Sequence, residues 1–423
     1  MTERVVFHVG APKTGTTFLQ EVLFANKKRL AEHGVLVPGD QWGVHAGAAT
    51  GLRQGRESRR YVEWTRLLDM IREWPGHTAI VSCEWFPMAT AEQTAEALTQ
   101  LQEIGELHVV ATARDLVDQV PGAWQELLKL GQASPIDEFA LTMGRPTGRW
   151  RWYVMDVAES LERWGAGLPP EQVHVVTLPP RGAPPGTLWD RFATACGIDP
   201  SWCSTDVKFA RESIGAEAAR LLELVGPKLR AAIQTDTGKW NEAYIWIQRY
   251  LSHDMLLAFP GSKITPSAEQ LAAVRERSVR SIARLRERGY DVVGDLADLT
   301  SSALPDGARH PDTVTDAEVL DIAVKLLPAL LDRLPEERRT EVALHLVAEA
   351  LGETRGRREP EPKKAEPPAA PKKPAPSQPA PAEPKAKEPA PQATTPAATA
   401  RSRAGRRLAR AKRIIRRGFN RLP

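Results

Sequence analysis

"HVGAPKTGTTFLQ", His8 to Gln20, is the stretch from which the rest of the chain is read. It overlaps the apolar, β-branched run "RVVFHVG", which reads as a buried strand ended by a glycine. It also opens "TTFLQEVLFANKKRLAEHG", where Phe18, Val22, Leu23 and Leu30 fall near helical spacing and Gly34 supplies a stop. Strand, glycine-bearing loop and helix in this order begin a βαβ unit. Unpaired N–H groups at the helix start, with a dipole end worth roughly half an elementary charge, converge on such a loop and make it an anion site. Gly10 and Gly15 have the spacing of the nucleotide-triphosphate loop G-x-x-x-x-G-K-[ST]. Lys13, however, stands two residues before the second glycine instead of directly after it, and Thr16 and Thr17 follow as hydroxyl donors. The alternative is a tight βα turn with no ligand.

Three more strands are expected at "HTAIVSCE", "ELHVVATAR" and "EQVHVVTLP", separated by helical patterns. That alternation predicts a parallel α/β sheet covered on both faces, a three-layer fold. Residues 213–300 read mainly as helices. The domain expectations are an α/β domain over 1–305 and a helical appendix over 306–354, broken at Pro328 and Pro335. A Pro/Ala/Lys-rich linker over 355–400 follows, too poor in apolar side chains to offset its ordering entropy, and then a basic amphipathic helix over 401–423. No solenoid-length repeat is visible.

The chain has 423 residues and 35 prolines, concentrated late, and a formal charge of +4. Ten Lys and Arg and no acid lie in residues 401–423, so the rest of the chain nets to −6, the +4 of the whole less the ten of the tail. The three cysteines have no C-x-x-C spacing, which points to a reducing compartment and away from a disulfide framework or zinc site. With no long uncharged run and no cleavable apolar leader, the expectation is a cytoplasmic protein.

"GAPKTGTTFLQ" resembles the 5′-phosphosulfate loop of sulfotransferases, P-K-x-G-T-T-x-L, at Pro12, Lys13, Gly15, Thr16, Thr17 and Leu19, with Thr14 as the variable position. The resemblance extends over roughly residues 4–300, its specific motifs over about thirty of them. It implies a P-loop-type fold and 3′-phosphoadenylyl sulfate (PAPS) as co-substrate, with no metal. The lysine's role there is to stabilise charge on the oxygen joining phosphate to sulfate, which accounts for its position, since a sulfuryl group needs no magnesium clamp. The family's 3′-phosphate element, a strand-end arginine and a serine about eight residues on, is matched by Arg114 in "HVVATARDLVDQVPGAWQELL". Gly122 stands where the serine is expected. Gln119, another hydroxyl or the Gly122 N–H then takes its place, or 3′-phosphate binding is weaker; Ser213 in "ARESIG" is a further replacement. Glu84 in "TAIVSCEWF" occupies the place of the family's catalytic base, beside Trp85 and Phe86. His45 in "GDQWGVHAGAAT", read as a loop, is the rival base or a substrate contact. Trp150 and Trp152 in "GRWRWY" either stack on an acceptor or pack a helical core.

In "RSRAGRRLARAKRIIRRGFNRLP", Leu408, Ala411, Ile415, Phe419 and Leu422 form one apolar helical stripe among arginines. This fits an anionic membrane surface on the inner face, with nucleic acid or a solvated tail as the alternatives. The expected activity is sulfuryl transfer from PAPS to an acceptor hydroxyl on a carbohydrate, glycolipid or small molecule. The rivals are a P-loop nucleotide kinase or NTPase, which would require magnesium and a strand-borne acid, and a catalytically degenerate PAPS-fold module tethered to membrane.

Overall fold

A computed structural model describes residues 2–332, apart from 144–149, 208–212, 238–241, 243, 260, 301–303 and 305. The strands form where the apolar runs predict them: β1 (Arg4–His8), β3 (Thr78–Ser82), β4 (Glu106–Ala113) and β5 (Val173–Thr177). Two short strands, β2 (Val35–Leu36) and β6 (Asp291–Val293), complete a six-stranded, all-parallel sheet in the order β2-β3-β1-β4-β5-β6. Runs of two and three residues are too brief to carry a periodic signal, so they escape a reading of the sequence.

The helices are α1 (Thr16–Ala25), α2 (Lys27–Glu32), α3 (Trp42–Gln54), α4 (Tyr61–Arg72), α5 (Ala91–Gln102) and α6 (Leu116–Lys129). They continue with α7 (Ile136–Thr142), α8 (Trp152–Met155), α9 (Val157–Trp164), α10 (Thr187–Cys196), α11 (Ala216–Thr237), α12 (Ala268–Arg288) and α13 (Asp316–Asp332). Residues Ile245–Met255 wind as a π-helix.

Alternate strand residues face opposite layers, as the pleat demands. Val6, Ile80, Val110 and Val176 pack with Leu19, Val22 and Leu23 of α1 and Trp189 and Phe192 of α10. Val5, Phe7, Val81, Val109 and Val175 pack on the other face against α3, α4, α5, α9 and α12. There the Phe7 ring lies 4.4 Å from Phe86 and 5.2 Å from Trp164, centroid to centroid. Both faces are covered, so the strands are buried along nearly their whole length instead of alternating between core and solvent. A third cluster joins α6, α7, α11, α12 and α13.

Three local expectations are corrected. The first helix is two, because the Asn26 amide donates to Val22 O (2.8 Å) and to Ser204 O (2.9 Å), turning the chain between α1 and α2. Residues 213–300 are mainly helical, as expected, with the short β6 among them. Pro328 does not break its helix; it lies inside α13, whose Ile322 and Leu326 are buried in the cluster with α6 and α11. His45 is in the first turns of α3 and fully buried, not in a loop. Pro335, the linker 355–400 and the tail 401–423 lie outside the described residues.

Candidate functional site

The turn between β1 and α1 is tied to β4 by its backbone: Ala11 N–H donates to Thr112 O (3.0 Å) and Thr112 N–H to Gly10 O (2.6 Å). Gly10 has φ +94°, and a Cβ there would come within 3.0 Å of the Glu84 Cα and Cβ, so glycine is what lets the loop touch the turn after β3. Gly15 is the N-cap of α1 and contributes no side-chain cap, so the start of that helix faces the cleft with its dipole end uncapped by a side chain of residue 15. Thr16 is buried and Thr17 exposed at the helix start.

Lys13 has φ +65°, a conformation that costs a non-glycine residue about 1 kcal/mol. Its side chain passes over Gly122, where a Cβ would lie 3.4 Å from the Lys13 Cε, and its Nζ reaches Glu126 Oε1 at 3.2 Å. Lys129, fully buried, holds the same oxygen at 3.0 Å. Burial alone would raise the Glu126 carboxyl, but the two ammonium groups outweigh it and hold the carboxyl at about 2.

Arg114 extends from the end of β4, donating to Lys13 O (3.4 Å) and lying 3.5 Å from Asp118 Oδ2. Arg181, in the Pro-rich turn after β5, pairs with the other oxygen of Asp118 at 2.5 Å. Gln119 is buried and donates to Pro12 O (2.7 Å) and Met155 O (3.2 Å), so its amide is committed to the backbone under the loop. Ser213 is exposed at the cleft and accepts from the Gln125 amide at 3.4 Å, while Gln125 Oε1 accepts from Ile214 N–H at 2.9 Å.

On the other side of the loop, Glu84 is half-buried and accepts from Gln20 Nε2 at 2.9 Å. Trp85 meets Trp42 edge-to-face, 5.2 Å between centroids. Glu84, Trp85 and Trp42, with Pro12, Lys13, Gly15, Thr16, Thr17, Arg114, Gly122, Trp150 and Ser213, line one open cleft of about 1470 Å³ above the carboxyl ends of the strands. That position, at the strand ends of a parallel sheet, is where ligands of open α/β folds gather. The volume exceeds the ~300–1,000 Å³ of an ordinary small-molecule site.

Two of the expected residues are not in the cleft lining. Thr14 is buried beneath the loop, donating to Ala11 O at 2.5 Å. His45 lies under Ser82, its Nδ1 3.2 Å from the Ser82 N and O, with the Phe24 ring 5.2 Å away. Burial lowers the His45 pKa to about 4 against the opposing backbone hydrogen bonds of Ser82 and Pro38, with the Lys27 charge lowering it further. Trp152 is directed elsewhere, its ring under the Arg277 guanidinium at 4.5 Å.

Gln20, Asp118, Glu126, Lys129 and Arg181 belong to the site and were not singled out from the sequence. Asp118, Glu126 and Lys129 carried a signal, since Arg114/Asp118 and Glu126/Lys129 have helical i,i+4 and i,i+3 spacing. Arg181, in a Pro/Gly-rich turn, carried none. Among the described residues no group of three His, Cys, Asp or Glu side chains is placed to share a metal ion. Cys83, Cys196 and Cys203 are buried free thiols. No protein-family model matches the chain, and no curated protein does.

Proposed function

We propose that the protein is a PAPS-dependent sulfotransferase acting on an acceptor hydroxyl. The observation that carries this reading is the placement of Lys13 between Glu84 and Arg114 in a single cleft, with Glu84 following β3, Arg114 following β4, and the Lys13 loop following β1 between them. The α1 N-terminus and Thr16 and Thr17 receive the 5′-phosphosulfate. Arg114, joined by Arg181, receives the 3′-phosphate on the β4–β5 side. Glu84 faces the acceptor, which Trp42, Trp85 and Trp150 flank.

In the transfer, Glu84 takes the acceptor's hydroxyl proton as the acceptor oxygen forms its bond to sulfur. The bond from sulfur to the bridging oxygen breaks in line, and its electron pair leaves with adenosine 3′,5′-bisphosphate. Lys13 stabilises the charge on that oxygen, having exchanged the Glu126 carboxylate for it. Gly122 supplies no hydroxyl, and the Lys13 stem lies against it. Residues 401–423 add a basic amphipathic segment that holds the enzyme on an anionic membrane surface. Among the described residues no helix is long and apolar enough to cross a membrane.

Calorimetry tests the nucleotide: adenosine 3′,5′-bisphosphate should bind in the micromolar range without magnesium, and magnesium–ATP weakly. Transfer of labelled sulfate from PAPS to a panel of hydroxyl acceptors should follow, and Lys13→Ala should abolish it while leaving the circular dichroism spectrum unchanged. Preference for magnesium–ATP, or full transfer by Lys13→Ala, would overturn the assignment.

A further inference from the structure

We infer that Gln20 is the positioning residue of Glu84, and that it joins the carboxylate to the phosphate loop through one unbroken run of buried hydrogen bonds. The inference rests on the proposed function only for the role of Glu84 as base; the run itself is a matter of geometry. Ser82 at the end of β3, His8 at the end of β1, Thr112 in β4 and Thr14 in the loop are all fully buried, and Gln20 in α1 is 6% exposed. Their polar atoms make a line across the three central strands, directly beneath the cleft.

Proton counting gives the line a direction. Thr14 spends its single proton on Ala11 O at 2.5 Å, and a carbonyl can only accept. The Thr14 oxygen, 2.5 Å from Thr112 Oγ1, therefore accepts the Thr112 proton. The Thr112 oxygen in turn accepts from His8 Nε2 at 3.3 Å, which requires the proton on that nitrogen. Burial lowers the His8 pKa to about 3, so the ring is neutral and its Nδ1 is bare. Nδ1 then accepts from the Ser82 hydroxyl at 2.8 Å. The Ser82 oxygen accepts from Gln20 Nε2 at 3.4 Å, and the same nitrogen donates to Glu84 Oε2 at 2.9 Å.

Both ends of the run, the Ala11 carbonyl and the Glu84 carboxylate, are acceptors. Such a run is satisfied only if one member donates in both directions, and the amide nitrogen of Gln20, with two hydrogens, is that member. No hydroxyl in the run can replace it, because each has one proton. Gln20 thus orients the carboxylate and favours its ionised form, while the loop holding Lys13 is fixed by the other end of the same run. Lys13 and Arg114 line the same cleft as Glu84, and just beyond it Arg163 of α9 donates to Pro87 O at 2.9 Å and Tyr153 of α8 to Ala89 O at 2.8 Å; the nearby His8 and His45 are neutral.

The test uses the full-length protein labelled with ¹³C-glutamate, the Glu84 carboxyl signal being assigned by its loss in Glu84→Gln. Gln20→Met keeps the side-chain length and removes the donor. The Glu84 titration midpoint should rise by about one unit, the usual effect of a charge-assisted hydrogen bond. An unchanged midpoint overturns the inference. A second measurement needs no variant: ring ¹⁵N shifts of His8 at neutral pH should report the Nε2–H tautomer, and the Nδ1–H tautomer or a charged ring would overturn the inference. Sulfuryl transfer by the unmodified enzyme is scored separately. Its absence would sink the functional reading and leave both spectroscopic results to decide the role of Gln20.

Discussion

Replacing Glu126 with glutamine removes the carboxylate that Lys13 and the fully buried Lys129 share, while keeping its shape. The carboxyl titrates at about 2 instead of its ordinary 4.5, and its side chain is 15% exposed, so solvent screening is modest. A depression of that size corresponds to about 3 kcal/mol at neutral pH, at roughly 1.4 kcal/mol per unit. The folded pKa lies below the unfolded one, so this contribution is fully present above about 4.5 and is lost as pH falls toward 2. Urea unfolding at pH 7 should therefore show Glu126→Gln less stable by about 3 kcal/mol, in the range found when one partner of a buried pair is removed. Lys129→Met combined with Glu126→Gln should recover part of the loss, because the buried cation is then gone as well. A loss under about 0.5 kcal/mol would make the contact an ordinary surface pair. A double variant as unstable as the sum of the singles would show no coupling, and either result would refute the account of the triad.

Acid should weaken the fold well above the carboxylate range. Burial lowers His8 to about 3 and His45 to about 4, so below pH 6.5 these two groups alone bind up to two more protons in the unfolded chain than in the folded one. Stability then falls by up to about 2.7 kcal/mol per pH unit as pH drops below 6; a flat profile of denaturation midpoint from pH 7 to 5 would contradict this. Arg181→Ala should weaken adenosine 3′,5′-bisphosphate about tenfold by calorimetry. It should leave the thermal midpoint unchanged, since the side chain is 57% exposed, and undiminished binding would remove Arg181 from the site. The full chain should float with liposomes containing anionic lipid and not with neutral ones. Deleting 401–423 should abolish flotation, and flotation of the truncated chain would place the membrane contact elsewhere.

Much of the fold is legible in the sequence because its determinants are local. Four of the six strands are mainly apolar runs of five to eight residues, and burial on both faces of a parallel sheet leaves that mark whatever the partners are. The loop from Gly10 to Thr17 is equally local: a left-handed turn and a helix start are specified within eight residues of chain. For the same reason the positions of Lys13, Glu84 and Arg114 at strand ends followed from the strands themselves. What each side chain then does depends on contacts that no local pattern encodes. Lys13 meets Glu126 across 113 residues, Gln20 meets Glu84 across 64, and Arg181 meets Asp118 across 63. His45, which reads as a loop residue beside glycines, is buried under Ser82 because α3 packs against the end of β3. The Gly122 position departs from the resembled pattern in the sequence, and only the fold shows that the Lys13 stem lies against it. Periodicity along the chain determines which elements form, whereas the pairing of charges and hydrogen-bond donors is decided when those elements meet.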